Sequence, residues 1–421
     1  MEQAVHIPAT GGGRPVALLL ATRFLATFAH SCCFMVGILG GAVYSYAATT
    51  FHMALLMLLV NAGLLLGNLV GGTCVDALGP RKTLLSSLAS MAALGALYLA
   101  LPATLASLIV VCALYIFVYG CAITCFTALP PFVAAPAALA RTNALLSTAE
   151  NAAYIAGPLV GGVITLVWDV RGCFVVLALC ALAALVPAWF LPLHELAPAN
   201  DEKNLEAEQE REASHHPLHY AREGFRACFA QPILATIVNL SFLAFFAYGA
   251  FDALETVFYR DVLHVGVEWT GWLGTAVGVG ATVGSLALMR LPQRLQTLQT
   301  GAYLALLVGA GTILYVGTAN PYIAALGQFT LGVAFGLFEP LMALIAQRLS
   351  PPQALGRVMA VLRVCQRLSG VVPLAAAPFL AQAFGVQTVL VTAGCLVTGI
   401  SALFAFIIVP RVTHASHGEG R

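Results

Sequence analysis

Residues 53–103 read MALLMLLVNAGLLLGNLVGGTCVDALGPRKTLLSSLASMAALGALYLALPA. Two apolar runs, about 53–75 and about 83–103, flank a short turn that holds the only charges of the stretch, Asp76, Arg81 and Lys82. An α-helix rises ~1.5 Å per residue, so about 20 residues cross a bilayer core of ~30 Å. Each run is long enough to do so. Both exceed the length of a barrel strand and lack its alternation of apolar and polar residues, so helices are the spanning element.

The same pattern repeats along the chain. Further apolar runs lie at about 16–42, 105–128, 142–167, 172–192, 232–257, 269–290, 295–318, 322–347, 356–382 and 385–409, which makes twelve. Hydrophobic residues form 60% of the 421-residue chain and charged ones 9%, with a mean hydropathy of +0.91, far too little polar surface for a soluble domain of this size. The expected fold is an all-α membrane protein of twelve transmembrane helices in two six-helix pseudo-repeats.

Charge placement orients it. Fourteen of the 19 Lys and Arg fall in the loops after the even-numbered spans or in the tails, and only Arg171 and Arg260 lie on the opposite side. Cytoplasmic loops carry the excess of cations, so both termini are expected in the cytoplasm, and the protein in the cell membrane. The implied divisions are a cytoplasmic tail at 1–15, a first bundle at 16–192, a cytoplasmic linker at 193–231, a second bundle at 232–409 and a tail at 410–421. The tail before the first span lacks the charged start and the cleavage site of a signal peptide, so that span is expected to stay in the mature protein. The linker opens acidic, and its end, 217–229, places Leu218, Ala221, Phe225 and Cys228 on one helical face, as a helix lying on the inner membrane surface would. A weak repeat supports the two halves: Arg141, Ala144 and Leu146 recur as Arg357, Ala360 and Leu362, 216 residues on.

Several function classes find no support. The net charge of +1 gives no hint of a nucleic-acid partner. The eleven Cys show no metal spacing and read as packing residues, and no Walker A sequence occurs. His215, His216 and His219 lack acid partners at metal spacing. No enzyme, metal or cofactor is expected. The expected partner at this point is the lipid bilayer; the family resemblance given below adds a small-molecule substrate and protons as the expected coupling ion, and the protein is expected to be a monomer.

Charges inside the spans are expensive and point to function by default. Glu150 and Arg23 lie at matched depth on the fifth and first spans, and Glu339 and Arg363 match on the tenth and eleventh, so either pair reads as an ion pair. Arg367, one turn beyond Arg363, is expected to face a central cavity. Asp252 and Glu255, at i and i+3, share a face near the outer end of the seventh span and read as a proton access point, an outer gate or simply hydrated acids. Glu150, Asp252, Glu255 and Glu339 are the candidates for a proton-coupling acid, Glu150 first. His30, Asn61 and Asn68 read either as cavity wall or as interhelical hydrogen-bond partners. Phe24, Phe28, Phe34, Tyr115, Phe117, Tyr119, Phe245, Phe246, Phe335 and Phe338 read either as walls of an apolar pocket or as packing and lipid-facing aromatics.

The turn Gly72-Thr-Cys-Val-Asp76-Ala-Leu-Gly79-Pro80-Arg81-Lys82 resembles the signature G-x-x-x-D-R-x-G-R-[RK] of the major facilitator superfamily. Gly72, Asp76, Gly79 and Arg81 match in register, while Ala77 and Pro80 replace two of its arginines. Gly72 would allow close helix approach, Gly79 a tight turn, and Asp76 a contact with a helix N-terminus that holds one conformation. Gly157-Pro158-Leu-Val-Gly161-Gly162 resembles the core of the antiporter signature of drug:proton exporters in that superfamily, with Pro158 bending the helix and the glycines admitting a neighbour. Residues 141–162 and 347–359 are similar to its macrolide-efflux-like branch. The arginine of the fourth-span exporter signature is absent from 115–120. The resemblance implies a secondary active transporter that exports a small hydrophobic or amphiphilic compound by alternating access, driven by proton antiport. An uptake permease or symporter is the alternative, ahead of a membrane enzyme or a non-transporting scaffold.

Overall fold

The computed structural model describes residues 13–134, 138–192, 217–246, 248–350 and 355–412. The tails, the acidic part of the linker, and His215 and His216 lie outside these.

Among the described residues, twelve helices are long and apolar enough to cross a membrane: α1 Arg14–Ser45, α2 Thr50–Leu78, α3 Pro80–Ala100, α4 Leu105–Ala128, α5 Arg141–Val167, α6 Gly172–Trp189, α7 Pro232–Asp261, α8 Glu268–Met289, α9 Leu298–Val316, α10 Pro321–Leu349, α11 Val361–Phe384 and α12 Val386–Val412. Among the described residues there is no strand. A backbone in lipid must satisfy its own hydrogen bonds, and uninterrupted helices do so. The chain is a multi-pass membrane protein.

Local chemistry sets the helix ends. Thr104 and Ser107 form a capping box at the start of α4, Thr297 caps α9, and Asn320 accepts from the backbone N–H of Tyr322 and Ile323 at the start of α10. At the other pole, Arg171 donates to the carbonyls of Tyr98, Leu99 and Leu101 at 2.9–3.0 Å, neutralising the C-terminal end of α3. Pro158, Pro187, Pro340 and Pro378 lie inside helices, where each removes a backbone donor. From Cys33 to Ser45, α1 widens into π-type winding.

The turn between α2 and α3 is tighter than its sequence suggests, because α2 runs on to Leu78 and α3 begins at Pro80. Gly79 alone makes the connection, with φ 85° and ψ 154°, a region essentially confined to glycine. Proline suits the first helical position that follows. Gly79→Ala is therefore expected to cost about 1–3 kcal/mol, read as a lower unfolding temperature in detergent.

The helices group into two compact units. One comprises Met1–Ala48, Leu55–Ala199 and Val267–Gly271, the other Thr49–Ala54, Asn200–Gly266 and Trp272–Arg421. In the first unit, α2 meets α4 along Gly63, Gly67 and Gly71: a methyl group on Gly67 would overlap the carbonyl of Phe117, and one on Gly71 would sit 2.7 Å from the Cα of Cys121. In the second, α8 meets α10 through two facing Gly-x-x-x-Gly pairs, Gly280/Gly284 and Gly332/Gly336. Gly63 and Gly280, like Gly67 and Gly284, stand 217 residues apart. Each unit thus fastens its second helix to its fourth by the same small-residue seam.

The second unit has a buried apolar core around Ile237, Leu240, Phe338, Leu341, Met342 and Phe404. The linker's end forms the helix Pro217–Ala230, which inserts Cys228 into that core and leaves Phe225 and Phe229 exposed. Its Arg222 and Arg226 are exposed.

Candidate functional site

In the first unit, α1, α4 and α5 bring together the polar groups of the bundle interior. Arg23 on α1 is buried and pairs with Glu150 on α5 at 2.5 Å, while Glu150 keeps a side-chain exposure of 30%. The Arg23 guanidinium lies 4.7 Å over the ring of Phe126 on α4, so the cation has both a carboxylate and a π face. Two turns along α1, the buried His30 shares a 2.8 Å hydrogen bond between Nδ1 and the Tyr115 hydroxyl and stacks on Tyr119 with ring centroids 3.6 Å apart. Tyr154 on α5 closes the group, its hydroxyl 3.5 Å from that of Tyr119 and its ring edge-on to His30.

The close approach of α1 and α5 makes this arrangement possible. Ser31 donates to the carbonyl of Ala153 at 2.9 Å. A methyl group on Gly157 would overlap the Ser31 side chain, and one on Gly161 would sit 2.9 Å from Val36. Pro158 presents its carbonyl on another face, where it closes against Gly271 of the same unit. The Gly-Pro-x-x-Gly-Gly run is thus a packing surface on two sides.

In the second unit, Glu255 on α7 is partly exposed and accepts two hydrogen bonds on Oε1, from the Tyr315 hydroxyl on α9 at 2.8 Å and from Nε2 of Gln328 on α10 at 2.8 Å. The hydroxyls of Tyr315 and Tyr259 are 2.9 Å apart, and Gln328 Nε2 is 3.4 Å from Tyr259. The same unit contains a cavity of about 570 Å³ lined by Phe242, Phe246, Val372, Leu380, Phe384 and Leu396, among other mainly apolar residues of α7, α11 and α12.

Other sequence candidates are placed differently. A methyl group on Gly72 would meet nothing within 4 Å, so this glycine is not a point of helix approach. The seam on α2 follows the four-residue spacing of Gly63, Gly67 and Gly71, and Gly72 points one residue round the helix from it. Asp76 is exposed and, among the described residues, makes no side-chain hydrogen bond or ion pair. Arg81 donates to the carbonyl of Trp189 and lies over its ring, capping the C-terminal end of α6 within the same unit. Asp252 and Glu255 do not act alike: Asp252 is exposed, whereas Glu255 enters the hydrogen-bonded cluster. Glu339 and Arg363 are both exposed. The Arg367 side chain lies outside what the structure describes. Asn61 bonds the Met57 carbonyl of its own helix, and Asn68 accepts from Thr124 on α4 at 3.3 Å, an interhelical role. Sequence reasoning misses Tyr315 and Gln328. A lone Tyr and a lone Gln in apolar spans carry no periodic signal, although a Gln within a span is itself a polar flag.

Twelve candidate membrane helices in two units, with charged and aromatic groups held inside the bundles, define a polytopic membrane protein. The sequence pattern described as the Major Facilitator Superfamily matches residues 19–373, and the chain belongs to that superfamily. It is similar to two uncharacterized MFS-type transporters of Bacillus subtilis (strain 168). YfmI is 25% identical over 186 residues, 44% of this chain and 46% of that one, and YfiS is 24% identical over 262 residues, 61% of each. The matches therefore span about half to three fifths of those relatives. Among solved structures, a POT family transporter in complex with 5-aminolevulinic acid superposes with a TM-score of 0.72 at 13% identity, covering 96% of this chain and 98% of that one. A D-xylose-proton symporter superposes with a TM-score of 0.67 at 18% identity, covering 94% and 98%. At such identities these likenesses concern the fold.

Proposed function

We propose that this chain is a secondary active transporter that exports a small hydrophobic or amphiphilic compound by alternating access, in exchange for protons. It works as a monomer in the cell membrane with both termini in the cytoplasm. The observation that carries this reading is the joint between α1 and α5. There the Gly157-Pro158-x-x-Gly161-Gly162 run, similar to the core of the drug:proton antiporter signature, begins about two turns beyond Glu150 on the same helix, and Glu150 pairs with Arg23. One element therefore links helix packing to a titratable carboxylate, as coupling of conformation to proton transfer requires. The aromatic surroundings of His30 and the apolar cavity of the second unit suit a hydrophobic cargo better than a sugar or an ion. The macrolide-efflux-like similarity of 141–162 supports the same direction of transport.

The test is export of a panel of hydrophobic dyes from cells that produce the chain and cells that do not. Lower dye retention in producing cells, abolished by a protonophore, is the expected result. Dye accumulation driven by the same gradient would instead make the protein an uptake symporter, and equal retention in all conditions would remove dyes and proton exchange together.

A further inference from the structure

The cavity of the second unit is long and narrow. On α11 its lining runs from Val372 to Phe384 and on α12 from Thr388 to Ile400, twelve residues in each case. At ~1.5 Å per residue that makes a groove ~18 Å long. One end lies at the α11–α12 turn, where Gly385 with φ 84° reverses the chain, and the other lies near the middle of both spans. Half of a ~30 Å bilayer core is ~15 Å, so the groove follows one leaflet along the helices. Its volume of about 570 Å³ is that of a small-ligand site.

The lining offers little to a polar ligand. Thr388 and Thr392 are its only polar side chains, and the Thr392 hydroxyl donates to the Thr388 carbonyl at 2.7 Å. From Leu368 to Pro410 the sequence has no Asp, Glu, Lys, Arg or His. Neither Asp252 nor Glu255 lines the groove. Around its mouth Val372, Leu380, Phe384 and Leu396 are between 44% and 67% exposed. A span surface this apolar faces hydrocarbon, and the groove is continuous with it.

Backbone contacts elsewhere hold the walls in place. A methyl group on Gly249 of α7 would overlap the carbonyl of Gly370 beside α11. On the far side of α12, a methyl group on Gly309 of α9 would sit 2.8 Å from the Cα of Thr398, and one on Gly394 would sit 3.1 Å from Ile313. α11 is thus fastened to α7 and α12 to α9, and neither can shift to close the groove without breaking those contacts. In the first unit the corresponding helices α1, α5 and α6 meet directly: a methyl group on Gly37 would sit 2.9 Å from Cys173, and one on Gly172 2.7 Å from Ile164.

Lipid tails are as apolar as leucine, so contact rather than hydrophobic drive brings a chain into such a groove. A wall with no neighbour at van der Waals distance forfeits dispersion energy outright, and apolar cavities accept apolar guests for that reason. A hydrophobic cargo that used the groove would have to displace the hydrocarbon that the bilayer supplies there.

We propose that the groove holds one acyl chain of a phospholipid from the leaflet beside the α11–α12 turn, seated lengthwise against α7, α11 and α12. The inference goes beyond the transport reading and stands without it. The turn carries no charge, so selection is by chain and not by headgroup. The seated chain fills the space between α12 and the α7–α11 pair and stabilises the second unit.

The test uses the full chain in phosphatidylcholine nanodiscs doped with a phosphatidylcholine whose palmitoyl-length chain carries a diazirine, with cross-linked residues mapped by mass spectrometry. Labels should concentrate on Phe246, Leu380 and Leu396 over Leu65 and Leu69, which are exposed on α2 and lie outside the groove. Ala393→Phe, which fills the groove from α12, should cut that labelling by roughly tenfold or more. Cys395→Phe, on an exposed part of α12 outside the groove, should leave it unchanged. Ala376→Phe fills the groove from α11 and serves where the first variant does not fold. A diazirine phosphatidylglycerol should give the same pattern. In detergent, a palmitoyl phosphatidylcholine should raise the unfolding temperature more than an octanoyl one, a difference lost in the filled variants. Equal labelling of the groove and of α2, or undiminished labelling in the filled variants, would overturn the proposal. So would a hydrophobic dye that clears the label at concentrations far below that of the lipid, because the groove would then be a cargo site.

Discussion

Gly284→Leu is expected to leave little folded protein. In the seam between α8 and α10, a methyl group at Gly284 would overlap the carbonyl of Val333, and one at Gly336 the carbonyl of Ala281. The obstacles are backbone atoms, which cannot move to another rotamer, so the helices themselves must separate. That forfeits the packing along the seam, including the 3.2 Å bond from Ser285 to the Gly336 carbonyl. Overpacking against movable side chains costs about 1–3 kcal/mol, and here the cost should reach or exceed the top of that range. Gly284→Ala should move in the same direction by less. Gly399→Leu on α12 provides the control, because nothing lies within 4 Å of its added carbon. Thermal unfolding followed by size-exclusion chromatography in detergent reads all three. A Gly284→Leu protein as stable as Gly399→Leu would mean that the seam is not a tight contact.

The same seam shows what the sequence made legible. Lipid punishes unsatisfied backbone and unpaired charge so severely that the twelve spans stand out in hydropathy alone. Sequence reasoning misses the glycine period of α2. Gly63, Gly67 and Gly71 repeat every four residues and form the interface, while Gly72, singled out by its place in a motif, faces open space. Pairing by depth put Arg23 beside Glu150, which do meet, although depth alone fixes height along the bundle and not the direction in which a side chain leaves its helix. Arg81 was opaque for another reason. Its acceptor is a main-chain carbonyl at the end of α6, and a backbone atom leaves no trace in residue identity. The Glu255 cluster draws on three helices spread over residues 255–328, and no local pattern joins them.

Arg23→Met should destabilise the protein by about 3 kcal/mol, toward the lower end of the cost of breaking a buried ion pair, because Glu150 retains partial access to solvent. The substitution removes the charge that neutralises Glu150 and the cation over Phe126 while keeping most of the side-chain volume. Glu150→Gln should cost less, since the amide can still accept from the guanidinium. The double substitution Arg23→Met and Glu150→Met should recover much of the loss, because two apolar side chains replace a pair whose desolvation opposed folding. Unfolding temperatures of the four proteins give the coupling directly, and additive losses would show that the two groups do not depend on each other. Transport by the same four separates structure from chemistry. If the pair only holds α1 to α5, the recovered double variant should export as the parent does. If Glu150 carries a coupling proton, Glu150→Gln and the double variant should both be folded and both lose gradient-driven export. Glu255→Gln is the comparison outside the pair and should leave the Arg23–Glu150 coupling unchanged, since the two carboxylates lie in different units and are held by different partners.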